Sequence, residues 1–168
     1  MRRVPSPVVV ITASGAGDAR GITIGSFTSL ALEPPLVCFN VNRDAQMHGV
    51  LADATRYAVH VLSEEQAGLA NHFAAPDRTG AEQLEAVPHY FDAHGTPILK
   101  GATVRLDCTP HERFVAADKT IFVGRVVDID TPPDRGAVLY YERTYRGVGE
   151  ELRSTLLSPV KRASNDTS

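Results

Sequence analysis

Apolar positions along this chain mostly alternate with polar ones or cluster in short bursts, and only two stretches repeat at helical spacing. VVVITA (8–13), GITIGSF (21–27) and PLVCFNV (35–41) are strand-like runs, and YAVHVL (57–62) alternates in the manner of a strand. Two long strands follow, ATVRLDCTPHERFVA (102–116) and KTIFVGRVVDID (119–130), with AVLYY (137–141) as the last. The SGAGDARG stretch between the first two runs is a hairpin-type turn, rich in Gly and Asp for positive-φ positions, and PPDRG (132–136) is another turn. Pro34-Pro35 excludes a continuous helix through that region.

Helical spacing occurs over 44–54, where Asp44 is the expected cap and Met47, Leu51 and Ala54 line one face. It recurs in SEEQAGLANHFAA, opened by the capping-box pair Ser63 and Gln66. There Ala70, Phe73 and Ala74 share a face and Pro76 marks the stop. Residues 76–96 read as a polar loop excursion with a short turn of helix. Six to seven strands with two short helices predict a mainly β fold, a Greek-key β-barrel with short flanking helices, rather than a doubly wound sheet. A dinucleotide-binding turn is excluded because SGAGDARG lacks the GxGxxG spacing and leads into a strand.

Length supports one domain, expected over residues 1–150, with a flexible tail over 151–168 ending in KRASNDTS. The net charge of −3 and the lack of any dense Lys/Arg run give no footprint for nucleic acid or an anionic membrane. Arg2-Arg3 before an apolar run superficially suggests a signal peptide. That run is too short and too β-branched, and no window approaches the ~18 apolar residues of a membrane helix. Cys38 and Cys108 form no CxxC pair and read as small buried hydrophobes in a reducing cytoplasm. The six histidines show no HxxxH, HExxH or Cys/His ligand spacing, so no metal is expected. A serine-hydrolase elbow, GxSxG, is absent.

The chemistry concentrates in residues 21–50. Thr23, Ser26, Thr28 and Ser29 are set between apolar residues. The strand after Pro35 ends in Asn40, Asn42 and Arg43, where a helix starts. An apolar wall, a row of hydroxyl and backbone donors and a helix start suit a flat aromatic ligand with a polar edge and a phosphate tail. The same hydroxyls also suit plain local bonds to the backbone, and Arg43 beside Asp44 suits a surface pair.

The order of GITIGSFTSLALEPPLVCFNVNRD, YAVHVLSEEQAGLANHFA, GTPILKGATVRLDC, ADKTIFVGRV and VLYYERTYRG, from about Val8 to Gly147, resembles the flavin reductase-like, FMN-binding split-barrel family. These are the small reductases of two-component flavin monooxygenases. The resemblance implies a cytoplasmic, homodimeric split barrel carrying FMN or FAD near the subunit interface. It implies NADH- or NADPH-dependent flavin reduction, with reduced flavin passed to a partner monooxygenase. Carried across by position, it places the isoalloxazine contacts on Thr23, Ile24, Gly25, Ser26 and Phe27, with Ser29 and Leu30 following. It places the ribityl and phosphate contacts on Asn40, Asn42, Arg43, Asp44, Ala45, Gln46 and Met47. His72 and Phe73 fall where relatives contact the phosphate or dinucleotide part. Lys119, Arg143 and Arg146 fall on the nicotinamide side. No residue is expected to act as an acid or base, because hydride passes directly between the two cofactors.

Three departures from the family pattern stand out. Ala45 and Met47 occupy positions where relatives carry Ser and Thr. Ala117-Asp118-Lys119 replaces Gly-Asp-His, whose His is associated with nicotinamide binding. Only MRRVPSP precedes the first strand, where relatives have a helix, so the expectation is either a trimmed start or a more open wall of the site. Loss of the His frames the rival expectation, a flavin-binding barrel repurposed as a pathway enzyme or flavin carrier with little NAD(P)H oxidation.

Overall fold

The computed structural model describes residues 3–133 and 135–151. In chain order its strands are β1 (Ser6–Pro7), β2 (Val9–Gly15), β3 (Asp18–Ile24), β4 (Thr28–Leu32), β5 (Pro35–Asn42) and β6 (Tyr57–Val61). After two helices come β7 (His89–Phe91), β8 (Pro97–Leu99), β9 (Val104–Ala116), β10 (Lys119–Asp130), β11 (Val138–Tyr141) and β12 (Thr144–Gly147). The helices are α1 (Gln46–Asp53), α2 (Ala67–Ala74) and α3 (Gly80–Glu85). Of the expected tail over 151–168, residues 152–168 lie outside the described residues.

Seven strands form one antiparallel sheet in the order β3-β2-β6-β9-β10-β5-β4. Its two edges, β3 and β4, are joined in sequence by Gly25, Ser26 and Phe27 alone. So short a connection between opposite ends of a sheet brings those ends together and curls the sheet into a barrel. The edges do not pair with each other, so the barrel keeps an open seam. One clip spans it: the Asn40 amide N–H donates to Ser26 Oγ at 3.1 Å.

β2 lies in the closed wall and is buried on both faces, which explains its unbroken apolar run. Inside the barrel, Val9, Ile11, Phe39, Val41, Tyr57 and Phe122 pack with Met47, Val50 and Leu51 of α1, which plugs one end. Outside, Val8, Val10, Leu62 and Leu99 pack with Ala70 and Phe73 of α2. Gly21 is required there: a Cβ on it would lie 2.7 Å from the Phe73 ring.

Several boundaries differ from the sequence expectation, each for a local reason. The expected turn SGAGDARG is a tight hairpin at Ala16-Gly17, both at positive φ, so β3 begins at Asp18 and takes in Arg20. Asp44 does not cap α1. A turn closed by Ala45 N–H to Asn42 O puts Ala45 at the cap position, with no side-chain bond. Gln66 does accept the Ser63 N–H at 3.2 Å, as the capping pattern predicts, and opens a 3₁₀ turn ahead of α2. The 76–96 excursion holds α3 and one strand of the β7–β8 hairpin, and β12 adds a strand the pattern did not single out. Cys108 is buried and Cys38 half-buried, both as free thiols, and burial pushes the Cys108 thiol up to about 12. Among the described residues no helix is long and apolar enough to cross a membrane.

Candidate functional site

Two cavities open along the seam and meet at Ile22, Asn42 and Ala45. The first, about 270 Å³, runs between Thr23–Ser26 at the end of β3 and Asn40–Asn42 at the end of β5, with Lys119 at its rim. Both strands are half-satisfied there because the ladder stops, so backbone and side-chain polar groups face open space rather than a neighbour. The Thr23 hydroxyl is committed to Ala70 O at 2.7 Å, and Ser26 Oγ accepts the Asn40 N–H. Each hydroxyl therefore positions the seam and keeps lone-pair capacity for a ligand donor. Lys119 pairs in register with Asn42, and its ammonium donates to Asn42 Oδ1, leaving that amide's two N–H donors uncommitted by this contact.

The second cavity, about 360 Å³, lies beyond the start of α1 and is walled by Arg20, Asp44, Gln46, Phe73, Pro76 and Arg78 among others. The start of α1 carries no side-chain cap and no acidic residue in its first turn. Its leading N–H groups, from Gln46 and Met47, have no intrahelical acceptor and hold the positive end of the helix dipole. Arg20 is charged yet its side chain is only 7% exposed. Its Nε donates to Asp18 Oδ2 at 2.7 Å, another nitrogen donates to Gln46 Oε1, and a third reaches Arg78 O at 3.4 Å. Gln83 of α3 satisfies the edge-strand N–H of Gly21 at 3.1 Å. The arrangement suits an anion at the helix start joined to a flat polar-edged group in the seam.

Of the residues expected at the site, Thr23, Ile24, Gly25, Ser26, Asn40, Asn42, Ala45 and Lys119 line the first cavity. Asp44, Gln46, Met47 and Phe73 line the second. The others lie outside both. Phe27 turns into the barrel core. Ser29 and Leu30 sit exposed on β4, at a bulge that skips Leu30 in the β4–β5 pairing. Arg43 is exposed, its backbone N–H donating to Asp118 O at 2.9 Å. His72 Nε2 donates to Gln83 O at 2.8 Å and its Nδ1 meets Arg78. Arg143 and Arg146 belong to the β11–β12 hairpin, where the Arg146 guanidinium lies 5.6 Å from the Tyr141 ring centroid. Sequence reasoning missed Arg20, Arg78 and Gln83. Arg20 had a readable signal, a charged residue directly before an apolar strand, but was assigned to a turn. Arg78 and Gln83 arrive through the tertiary fold of the 76–88 segment and carry no local motif.

Known proteins resemble the chain over most of its length. Residues 1–149 match the family model described as flavin reductase like domain. The chain is 37% identical over 152 residues to an NADH-dependent FAD reductase of Streptomyces globisporus, covering 87% of this chain and 83% of the relative. It is 32% identical to the reductase component of 4-hydroxyphenylacetate 3-monooxygenase of Thermus thermophilus, covering 87% and 91%. Among solved structures, the Streptomyces globisporus C-1027 NADH:FAD oxidoreductase SgcE6, in complex with NAD and FAD fragments, superposes with a TM-score of 0.79. That match has 32% identity and covers 95% of this chain and 90% of the other.

Proposed function

The chain belongs to the flavin reductase-like domain family, and from that premise we propose that it is an NAD(P)H:flavin oxidoreductase that binds flavin in the barrel seam and passes it, reduced, to a partner monooxygenase. The observation that carries this reading is the junction of the two cavities at the uncapped start of α1. An apolar and amide-lined slot on one side and a cationic cavity on the other match a ring and a phosphate tail. FMN and FAD both fit that description.

The chemistry supplied by a bound flavin is acceptance of a hydride from NAD(P)H. This chain's share is positioning. Ile22 and Ile24 give the slot an apolar floor. Asn40, Asn42 and the Ser26 clip set the polar edge. Gln46, Met47 and Arg20 hold the anionic end. Lys119 sits at the rim as a point charge suited to the phosphates of a nicotinamide dinucleotide. A donor must release its product, and a seam open to solvent suits micromolar affinity, roughly −8 kcal/mol.

Two features belong to the same reading. A homodimer is favoured by the exposed apolar side chains of β4 and the β9–β10 hairpin, with Leu32 83% and Val115 68% exposed. Sedimentation at micromolar concentration is expected to give twice the 18.1 kDa chain mass. A partner oxygenase follows the relative named as a reductase component. The second reading, a flavin-binding pathway enzyme with little NAD(P)H oxidation, draws on Lys119 standing in the family's His position and being tied to Asn42.

Steady-state NADH and NADPH oxidation with added FMN or FAD tests the proposal. Flavin-dependent turnover well above the rate of free flavin is expected, and Lys119→Ala raises the NAD(P)H Michaelis constant in a salt-sensitive way. Turnover at the free-flavin background favours the second reading.

A further inference from the structure

Three carboxamides, Asn42, Gln46 and Gln83, line the larger cavity, and the oxygen of each is held by a group that can only donate. Asn42 Oδ1 accepts from the Lys119 ammonium, Gln46 Oε1 from the Arg20 guanidinium, and Gln83 Oε1 from the Gly21 N–H at 3.1 Å. An amide oriented in this way has only its NH2 group left to offer. We propose that Gln46 and Gln83 are a donor pair that reads the phosphate of the flavin tail, and that Arg20 is the positioning residue that turns the Gln46 amide toward it. The proposal rests on the flavin reading above and adds the side chains that tell a phosphorylated flavin from riboflavin.

Gln83 carries the most weight. β3 is an edge strand, and Gln83 supplies the acceptor that a neighbouring strand would have given Gly21. Its backbone is fixed as well. His72 Nε2 donates to Gln83 O at 2.8 Å, and a Thr79–Glu82 capping box starts α3. α3 lies hard against β3, where a Cβ on Gly80 would collide with Ala19 O. Gln83 is 4% exposed, yet its Nε2 has no acceptor among the described residues and is not sealed from solvent. The amide nitrogen therefore opens on the cavity that the residue lines. A buried residue whose NH2 finds no acceptor in the protein points to an acceptor supplied by a ligand.

Arg20 acts at one remove. Its Nε donates to Asp18 Oδ2 at 2.7 Å, which meets its charge, and its remaining nitrogens run to Gln46 Oε1 and Arg78 O. Arg20 thus holds the anionic end through Gln46. The leading N–H groups of α1, from Gln46 and Met47, add donors to the same cavity. A phosphate oxygen only accepts and matches such a wall, whereas a sugar hydroxyl must also donate.

Equilibrium titration of the full chain with FMN and with riboflavin at one ionic strength, read by flavin fluorescence, tests this, with thermal unfolding of each variant beside it. The wild type is expected to hold FMN at least about tenfold tighter than riboflavin. Gln83→Glu keeps an acceptor for Gly21 and replaces the donor with a charged oxygen, so the FMN-to-riboflavin affinity ratio is expected to fall to about one or below. Gln46→Glu is expected to lower the ratio in the same way while gaining an ion pair with Arg20, so its unfolding midpoint holds or rises. A merely structural role for these residues would leave the ratio alone. Arg20→Gln, whose own amide can accept or donate, is expected to lower the ratio, and Arg20→Lys to keep part of it. A wild-type ratio near one, a ratio that ignores these variants, or one that falls only with Arg78→Ala overturns the proposal and leaves the flavin reading standing. Absence of binding by both flavins overturns the flavin reading and the proposal with it.

Discussion

The closed wall of the barrel and its open seam are built from the same alternating strands, and they treat polar groups in opposite ways. In the wall, β2, β6 and β9 continue the ladder on both sides, and the polar side chains of His60 and Thr12 are met inside the protein. His60 is fully buried, its Nδ1 on Val10 O at 3.2 Å and its Nε2 accepting the Leu99 N–H at 3.1 Å. Thr12 is equally buried, its hydroxyl donating to Pro97 O. At the seam β3 is an edge strand and β5 runs past the end of its pairing with β4. Asn40, Asn42, Lys119 and the first N–H groups of α1 are only partly engaged and stand beside cavities. The same strand pattern makes a wall where pairing continues and a binding groove where it ends. Substitutions in the wall therefore act on stability, and substitutions in the seam act on ligand affinity.

The largest expected effect lies in the wall at Gly124, where β10 bulges and an added Cβ would lie 1.7 Å from the Tyr57 hydroxyl. Gly124→Ala is expected to destabilise by about 3 kcal/mol in urea unfolding, because the buried Tyr57 ring must shift off its place against the glycine. Tyr57→Phe is expected to restore part of that loss. In the wild type it costs almost nothing, because the buried Tyr57 hydroxyl has no hydrogen-bond partner to lose.

Next is the pH dependence of the wall. Burial pushes the His60 imidazole down to about 4 from its ordinary 6.5. The unfolded chain then binds the proton more readily. Stability from the neutral ring is complete above about pH 6.5 and is lost as pH falls toward 4, by about 3 kcal/mol in all. Denaturation midpoints across that window are expected to fall in the wild type and to flatten in His60→Leu. That variant also starts lower, because it leaves the Leu99 N–H unpaired.

The seam reverses the pattern. Asn42→Ala removes an amide from the groove and releases Lys119. Flavin affinity is expected to fall about tenfold, near 1.4 kcal/mol, while the unfolding midpoint moves little. Ser29→Ala, on exposed β4 outside both cavities, is expected to change neither. The smallest effect is at the β9–β10 turn, where Ala117 holds φ +53°. Ala117→Gly is expected to raise stability by about 0.5–1 kcal/mol by relieving the left-handed strain, measured as a shift in the denaturation midpoint.

The wall was more legible in the sequence than the seam. Long apolar runs such as VVVITA report burial directly, and strand-like runs located β6, β9 and β10 within a few residues. The groove-lining residues of 21–26 and 40–47 were also readable, because hydroxyls and amides broke an apolar pattern at a strand-to-helix junction. Partners that meet through tertiary structure were not readable. Arg78 and Gln83 reach the cavity from a polar excursion with no periodicity, and His72 becomes a bracket for Arg78 only once α2 and α3 pack together. The α1 cap was misplaced by one residue because a backbone turn at Asn42–Ala45 overrode the preference of Asp44. The seam itself follows from strand order, which no local pattern encodes.

A crystal structure of the chain grown with flavin tests the seam assignment most directly. The isoalloxazine ring is expected between Thr23–Ser26 and Asn40–Asn42, with its first phosphate at the N–H groups of Gln46 and Met47. A ring seated elsewhere, for instance in the separate cavity of about 200 Å³ beside Tyr57 and Phe122, would contradict it.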